Sequence, residues 1–218
     1  YAQKLTIGGG KERLKSLLTP EFIGAAHLPT DPEDLSDAVA SWHAYKTGVY
    51  TDLVADGVMP GRPGITRIVT AAHDAGWTLA VASTSHEDSV RAVLEHAVGK
   101  DMAAHFSVFA GDIVAEKKPA PDIYLLALQE LAIPVDDAVV VEDSANGLRA
   151  ALAAQLRTVV TVSSFTSEED FTGASLVVTS LGDSPEPAAS VLANPHDVSV
   201  DHEVTLDVLT QVLTTPRP

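Results

Sequence analysis

The spacing of apolar residues changes once along the chain, near residue 58. Before that point they recur every three or four positions, which is the period of an amphipathic helix. After it, short continuous apolar runs alternate with helical stretches up to about residue 182, and the remaining residues follow neither pattern clearly. The pattern predicts a small helical unit at residues 1–58 and an α/β core at residues 59–218.

Two helices are predicted in the first region. A glycine-rich turn, Gly8-Gly9-Gly10, leads into a helix at about residues 11–18. A longer helix is expected to begin at Asp31-Pro32, because aspartate suits the N-cap and proline suits the first helical position. Gly57 and Pro60 are expected to end it. Its apolar positions are Leu35, Val39, Trp42, Tyr45 and Val49.

The second region predicts parallel strands separated by helices. The predicted strands are residues 77–82, 107–109, 138–141, 158–162 and 176–178. The predicted helices run from Pro63-Gly64 to Gly76 and over about 87–97, 122–132, 146–154 and 203–213. Buried β-branched runs that alternate with helices are typical of a Rossmann-like α/β fold, a parallel sheet with helices on both faces. Such sheets bind ligands beyond the carboxyl ends of their strands, so the residues that follow each strand are the functional candidates.

Three hydroxyl side chains follow the predicted strand at 77–82, namely Ser83, Thr84 and Ser85. Together with backbone N–H groups at the start of a helix, they could bind an anion. The alternative is that they form an ordinary helix N-cap.

Two lysines lie on the loop after the strand at 107–109, in the segment Lys117-Lys118-Pro119-Ala120-Pro121-Asp122. A lysine on a loop held by two prolines can present a fixed positive charge to phosphate. The alternative is that both lysines are simply solvated.

An acidic pair, Glu142-Asp143, follows the strand at 138–141 and precedes the helix near Asn146. Adjacent carboxylates repel each other unless a cation intervenes, and hard oxygen ligands suit Mg²⁺, which keeps several waters. The alternative is that one carboxylate caps the helix while the other points to solvent. A hydroxyl, a lysine and an acidic pair after successive strands together predict a site for phosphoryl transfer.

These three segments, in this order, resemble the second, third and fourth motifs of haloacid-dehalogenase-like phosphatases. The segments Gly8-Gly9-Gly10-Lys11-Glu12-Arg13 and His43-Ala44-Tyr45-Lys46-Thr47 resemble the CbbY-like, β-phosphoglucomutase-like branch, whose members act on sugar phosphates or sugar bisphosphates. The resemblance covers about residues 1–182. It implies a Mg²⁺-dependent phosphatase that acts on a sugar phosphate or a xylulose-bisphosphate-like substrate through an aspartyl-phosphate intermediate. It also implies that residues 1–58 form part of a mobile helical cap.

The resemblance gives each candidate residue a role. Ser83 would hydrogen-bond the transferring phosphoryl group, and Lys118 would neutralise charge on the phosphate and on the nucleophile. Asp143 would be a direct Mg²⁺ ligand, and Glu142 would be a further ligand or a neighbour of the ligands. The substrate-binding residues would be Thr84, Ser85 and Asn146 near the phosphate, and Lys11, Arg13 and Lys46 in the cap. For Arg13 and Lys46 a solvated helix face is the alternative.

The first motif of the family, Asp-x-Asp-Gly-Thr or a close variant, has no counterpart in this sequence. Its aspartates are the nucleophile and the general acid and base of the family. We therefore expect a strand, a loop and a long helix, about 35–45 residues, to be missing, and the chain as it stands to be inactive. Because that strand is central in the family's sheet, its absence would leave unpaired backbone groups, each costing about 1–3 kcal/mol.

Three other functions use similar residues. A sugar-phosphate mutase of the same fold would share every motif, and a truncated, non-catalytic pseudoenzyme could still bind anions. A receiver-type signalling domain is disfavoured, because in that class the acidic groups precede the lysine.

Composition restricts the partners. The formal net charge of −16 disfavours binding to nucleic acid, and the absence of cysteine excludes disulfides, thiolate zinc sites and cysteine nucleophiles. No apolar run approaches the roughly 20 residues of a membrane helix, and no secretory leader is visible. We expect a cytoplasmic monomer that binds a small phosphorylated substrate. The scarce basic residues, where they are grouped, are expected to mark the anion site.

Overall fold

The structure, a computed structural model, describes residues 7, 9–57 and 61–218. The expectations for Gly8, for Pro60 and for the boundary near residue 58 lie outside the described residues. The helices are α1 (Gly10–Lys15), α2 (Pro20–Ala25), α3 (Pro32–Ala55), α4 (Ile65–Asp74), α5 (Glu87–Val98), α6 (Lys100–Ala103), α7 (Asp122–Leu131), α8 (Ala145–Ala153) and α9 (Leu206–Thr214). The strands are β1 (Leu79–Ser83), β2 (Phe106–Ala110), β3 (Val139–Glu142), β4 (Arg157–Thr161), β5 (Leu176–Val178) and β6 (Val191–Ala193).

The long helix α3 begins as the sequence predicted. Asp31 is its N-cap, and the Oδ1 atom of Asp31 accepts hydrogen bonds from the backbone N–H groups of Glu33 at 2.9 Å and Asp34 at 3.4 Å. The predicted apolar face is wrong in part: Val39 is buried, but Tyr45 is 77% exposed. Tyr45 borders an open pocket rather than a neighbouring helix, which explains its exposure.

Two short elements of the helical region differ from the prediction. Helix α1 ends at Lys15, three residues earlier than expected. Helix α2 was not predicted, because its six residues are too few to show a hydrophobic period. Its N-cap, Thr19, accepts a hydrogen bond from the backbone N–H of Phe22 at 3.2 Å.

The strands form two sheets, whereas the sequence predicted one. Strand β1 pairs with β2 in parallel, and the second sheet has the order β3-β4-β5-β6. Strands β3, β4 and β5 are parallel, as predicted, and β6 is antiparallel to β5. Strand β6 was not predicted, because it has only three residues and all three are exposed. Within the described residues, β1 and β3 are therefore both edge strands.

A cavity of about 530 Å³ lies between these two edge strands. One wall is formed by Ala80, Val81 and Ala82 of β1, and the opposite wall by residues 139–142 of β3. Val141 of β3 is 39% exposed, whereas every residue of the neighbouring strand β4 is buried. The edges that face this cavity are thus apolar but incompletely covered.

Helices cover both faces of the larger sheet. On one face, side chains of β4 and β5 pack against α4 and α9 in a cluster that includes Ile68, Val159, Leu176, Val208 and Val212. On the other face, α7 and α8 pack together around Ile123, Ala150 and Leu156. The tail helix near 203–213 thus completes the outside of the core, as the sequence predicted. Among the described ranges, no helix combines the length and the apolar character needed to cross a membrane.

Candidate active site

One pocket of about 850 Å³ opens at the carboxyl ends of β1 and β3. The loop after β2 contributes Lys118 to it, and the helical region contributes Arg13. The predicted site residues that line this pocket are Arg13, Ser83, Thr84, Ser85, Lys118, Glu142, Asp143 and Asn146. The structure therefore brings together the hydroxyl, lysine and acidic segments, which are far apart in the sequence.

The hydroxyl segment at the end of β1 does not cap a helix. Helix α5 begins at Glu87, and its N-cap is His86, which makes no side-chain capping bond. The Oγ atom of Ser83 instead accepts a hydrogen bond from the backbone N–H of Ser85 at 3.1 Å. This tight turn directs the segment into the pocket, so the N-cap alternative is excluded for Ser83.

Lys118 is a buried cation rather than a solvated one, since its side chain is only 12% exposed. Its Nζ atom lies 2.5 Å from Oε1 of Glu142, 2.9 Å from the hydroxyl oxygen of Tyr124 and 2.9 Å from the carbonyl oxygen of Ala82. Lysine carries three N–H donors, so these three contacts fix the direction of the ammonium group. Ala82 directly precedes Ser83, and Lys118 is therefore held beside the hydroxyl segment.

The carboxylate of Glu142 is held by the protein on both of its oxygens. Oε1 contacts Lys118 and Tyr124, and Oε2 accepts a hydrogen bond from the backbone N–H of Asp143 at 3.2 Å. The side chain lies directly over Gly147, where any Cβ atom would overlap the carboxyl group. Glycine at this position of α8 is thus what gives Glu142 the room to lie against the helix.

Both carboxylates line the pocket, and Asp143 is the more exposed of the two. Desolvation by the surrounding protein raises the pKa of Asp143, and the negative charge of Glu142 raises it further, against the opposing effect of Arg62 and Lys118. Neither acidic residue caps α8, because the N-cap is Ser144, whose side chain accepts a hydrogen bond from the backbone N–H of Gly147 at 3.2 Å.

The fit of this acidic pair to a metal ion follows from its charges. The negative charge of Glu142 destabilises the ionised form of Asp143, which favours a cation beside Asp143, and hard carboxylate oxygens suit Mg²⁺. In the part of the chain that the structure describes, no three histidine, aspartate or glutamate side chains form a metal-binding group. The residues present thus fit part of a Mg²⁺ site and leave room for oxygen ligands from elsewhere.

A second pocket of about 870 Å³ adjoins the first, between α3 and α5. The two pockets share Arg13 and the hydroxyl segment Ser83, Thr84 and Ser85, and Lys46 lines the second. The Nε atom of Arg13 is buried and meets no acceptor among the described residues, although its Nη2 donates to the carbonyl of Ile7 at 3.2 Å. Arg13 and Lys46 thus lie at one continuous opening in an otherwise acidic protein.

His43 lies at the same opening, with its ring packed on Gly10, where a Cβ atom would overlap the imidazole. Desolvation lowers the pKa of His43, and the positive charges of Lys46, Lys11 and His86 lower it further. Burial and nearby positive charges thus both favour the neutral form of His43.

Lys11 lines neither of these two pockets. Its Nζ atom lies 3.7 Å from Oδ2 of Asp112, in a charge network that joins α1 to the loop after β2. Lys117 connects the same parts, with Nζ 3.0 Å from Oε1 of Glu12 and 2.8 Å from Oδ1 of Asp112. The Lys117 hydrogen bond holds the pKa of the Asp112 carboxyl below its usual value. The structure thus places Lys11 and Lys117 in a contact between the helical region and the core.

Two residues of the site were not predicted from the sequence. One is Tyr124, whose hydroxyl oxygen on α7 contacts the ammonium group of Lys118. Arg62 lines the pocket beside Asp143, and its Nη2 donates to the carbonyl oxygens of Val162 at 2.9 Å and Thr179 at 2.8 Å. These partners lie 100 and 117 residues away, so no local pattern could have indicated them.

Comparison with known proteins agrees with this geometry. Residues 9–155 match the family model of haloacid dehalogenase-like hydrolases. A CBBY-like protein of Arabidopsis thaliana is 40% identical over 187 residues, which are 85% of this chain and 58% of that protein. Protein CbbY of Cereibacter sphaeroides is 42% identical over 184 residues, 84% of this chain and 76% of that protein. The chain thus spans between about three fifths and three quarters of the length of these relatives.

A solved structure is similar over the same part of the chain. It is a mutant of CbbY from Rhodobacter sphaeroides in complex with xylulose-(1,5)bisphosphate. It superimposes with a TM-score of 0.71 at 42% identity, over 83% of this chain and 76% of that one.

Proposed function

Since the chain belongs to the haloacid dehalogenase-like hydrolase family, in its CbbY-like branch, we propose that it provides most of a Mg²⁺-dependent phosphatase for a sugar phosphate or sugar bisphosphate. The observation that carries the proposal is the convergence of Ser83, Lys118 and Asp143 on one pocket. Phosphoryl transfer depends chiefly on positioning and on neutralising charge, and these three groups supply a hydrogen-bond donor, a buried cation and an oxygen ligand for a metal.

The nucleophile in this proposal comes from a strand outside residues 1–218. The cavity between β1 and β3 supports this, because neither strand has a partner on that side among the residues that the structure describes, and each is parallel to its other neighbour. A strand inserted there in parallel would pair with both edges and cover the exposed face of Val141. Its carboxyl end would reach the pocket beside Ser83 and Lys118. An aspartate at that point would form the aspartyl-phosphate intermediate, and water would then hydrolyse it.

Asp143 is the residue that would bind Mg²⁺ directly. Glu142 would not contact the ion in this proposal and would instead hold Lys118 in position. When bound, the ion would neutralise charge on the transferring phosphoryl group. Lys118 would neutralise the remaining charge, and Ser83 would donate a hydrogen bond to a phosphoryl oxygen. Thr84, Ser85 and Asn146 lie close enough to the same opening to contact the phosphate.

The pocket between α3 and α5 would bind the distal part of the substrate. Arg13 and Lys46 line it, and Arg13 lies at the opening shared with the first pocket. Guanidinium and ammonium groups at the far end of a phosphate site favour a second phosphate or the hydroxyls of a sugar. A bisphosphate would thus be held at both ends, with residues 1–58 acting as part of a cap over the core.

The experiment compares residues 1–218 with a protein in which the encoded segment upstream of residue 1 is restored. Purified 1–218 with Mg²⁺ is expected to give no hydrolysis of a generic phosphate ester above background. The restored protein is expected to release phosphate, with sugar bisphosphates among its best substrates. Clear turnover by 1–218 would contradict the placement of the nucleophile, and an upstream sequence without an Asp-x-Asp motif would favour a non-catalytic anion-binding protein.

A sugar-phosphate mutase would use the same Ser83, Lys118 and Asp143. The two activities differ in their product, because a phosphatase releases inorganic phosphate whereas a mutase returns an isomerised sugar phosphate. We therefore expect phosphate release from the restored protein to equal substrate loss. Substrate loss without phosphate release would instead identify the mutase.

A further inference from the structure

The hydroxyl group of Tyr124 closes a ring of contacts with Lys118 and Glu142, which line the pocket, while Tyr124 itself lines the adjoining cavity between β1 and β3. Its oxygen lies 2.9 Å from Nζ of Lys118, and the hydroxyl also donates to Oε1 of Glu142. Lys118 and Glu142 are themselves in contact, with Nζ 2.5 Å from Oε1. Every pair among these three side chains is thus in direct polar contact.

The direction of the hydrogen bonds follows from the chemistry of the three groups. An ammonium group only donates, an ionised carboxylate only accepts, and a phenol does both. Tyr124 therefore accepts from Lys118 and donates to Glu142. A phenylalanine ring at this position could fill the same space but could do neither.

The phenol is more deeply buried than either charged partner. Tyr124 is 6% exposed, and its ring packs in the apolar cluster around Phe109 and Ile123 on the face of the core formed by α7 and α8. The Nζ atom of Lys118 lies 4.5 Å from the centroid of the ring, within range of a cation–π interaction. Desolvation raises the pKa of Tyr124 well above its usual value, and the charge of Glu142 raises it further, so the phenol stays protonated as a donor.

We propose that Tyr124 is a positioning residue that sets the direction of the Lys118 ammonium group and keeps Oε1 of Glu142 turned toward it. The other two contacts of the long lysine side chain are the carbonyl oxygen of Ala82 and the carboxylate of Glu142, and Tyr124 contacts that carboxylate as well. The predicted effect on turnover depends on the proposed function, whereas the predicted geometry does not. The geometric claim can be tested on residues 1–218 without any activity.

The first experiment follows the side-chain ammonium group of Lys118 by ¹H–¹⁵N NMR in residues 1–218. In the wild-type chain we expect its protons to exchange with water slowly enough to give a resolved signal, because all three have protein acceptors. In Tyr124→Phe, which keeps the ring, we expect this signal to disappear or its exchange to accelerate at least tenfold. Thr210→Val is the control, because it removes an exposed hydroxyl on α9 that borders neither pocket of the site, and it should leave the signal unchanged.

The result that would overturn the proposal is a Lys118 signal with the same shift and exchange rate in Tyr124→Phe as in the wild type. If Tyr124→Phe does not fold, Glu142→Gln provides the second measurement. It retains the shape of the side chain, and we expect it to shift the resonance of the Tyr124 hydroxyl proton. An unshifted hydroxyl resonance in Glu142→Gln would contradict the hydrogen-bonded ring.

In the restored protein, a misdirected lysine should lower kcat by about 10- to 100-fold and leave KM nearly unchanged, because the lysine acts on charge that develops during transfer. The pH profile of kcat should change in Tyr124→Phe and not in Thr210→Val. An NMR change with an unaltered kcat would overturn the positioning role. A wild-type restored protein without activity would contradict the proposed function, and the NMR result would still decide the geometry.

Discussion

The floor and the rim of the pocket are built in opposite ways. At the floor, Lys118, Tyr124 and Glu142 are nearly buried and satisfy one another's hydrogen bonds. At the rim, Arg13 has a nitrogen without an acceptor among the described residues, and His43 lies among positive charges that lower its pKa. A satisfied cluster is organised before any ligand arrives, whereas mutually repelling cations become more stable when an anion binds. In the proposed function, the floor would therefore carry out the chemistry that is common to many phosphate esters. The rim would select one phosphate ester among them.

The largest effect is expected from removing the cation at the floor. Lys118→Met should lower turnover of the restored protein by about 10²–10³-fold or more, because a preorganised charge partner of the phosphoryl group is lost. It should also lower the free energy of unfolding by about 3 kcal/mol, because the nearly buried Glu142 loses its counter-charge. Urea denaturation and phosphate release measure the two effects.

The double variant Lys118→Met with Glu142→Gln is the control for this change. It should recover most of the stability, since no unpaired charge remains, but none of the activity. If the double variant is as unstable as the single variant, the lysine contributes through packing rather than through charge, and the floor is not the paired cluster described above.

Two glycines give the next largest effect, and they distinguish the packed floor from the open helical region. Gly147→Ala should destabilise the protein by about 1–3 kcal/mol, because the added methyl group overlaps the carboxyl of Glu142. Gly48→Ala, in the middle of α3, meets no atom within 4 Å and should stabilise by about 0.5–1 kcal/mol through helix propensity. If both substitutions change the free energy of unfolding by the same amount, the floor is not more tightly packed than the helical region.

A smaller and selective effect is expected at the rim. Arg13→Met should raise KM for a sugar bisphosphate about tenfold to a hundredfold, because one charge-assisted hydrogen bond is lost, and should leave KM for a monophosphate ester unchanged. Lys46→Met should act in the same direction. Lys15→Met, an exposed change on the same helix as Arg13, is the matched control and should have no effect on either substrate. An equal rise in KM for both substrates would show that the rim does not select for a second phosphate.

The smallest effect concerns pH and His43. Because the pKa of His43 is lowered in the folded chain, the unfolded chain binds the proton more readily. The stability linked to this group is therefore complete above its unfolded pKa of about 6.5 and is lost as the pH falls toward the folded value. The positively charged neighbours are Lys46, Lys11 and His86, and Glu12 acts in the opposite direction.

Thermal unfolding between pH 5 and pH 7.5 measures this contribution. His43→Gln should lose less stability than the wild type as the solution is acidified. His196→Gln, a change at an exposed position in the tail, is the control and should follow the wild-type curve. If His43→Gln also follows it, the rim is less electropositive than the structure indicates.

The sequence predicted the site residues that directly follow strands better than those placed by long-range packing, for a physical reason. Ser83, Lys118 and Asp143 each follow a strand, and parallel strands bring their carboxyl ends to one edge whatever the details of packing. The role of Tyr124 depends on which way a side chain leaves α7, and that of Arg62 on carbonyl groups more than 100 residues away in sequence. Lys11 carries the right charge, but its side chain turns to Asp112 rather than to a pocket. The separation into two sheets could not be predicted either. The spacing of apolar residues indicates which segments form strands, but it does not indicate which strands pair with each other.

The most direct test of the account is a crystal structure of the restored protein grown with Mn²⁺ in place of Mg²⁺ and with inorganic phosphate. The account predicts an anomalous peak bonded to a carboxylate oxygen of Asp143, and a phosphate that contacts that ion, the hydroxyl of Ser83 and Nζ of Lys118. A metal ion bound away from Asp143, or a phosphate that reaches neither Ser83 nor Lys118, would contradict it.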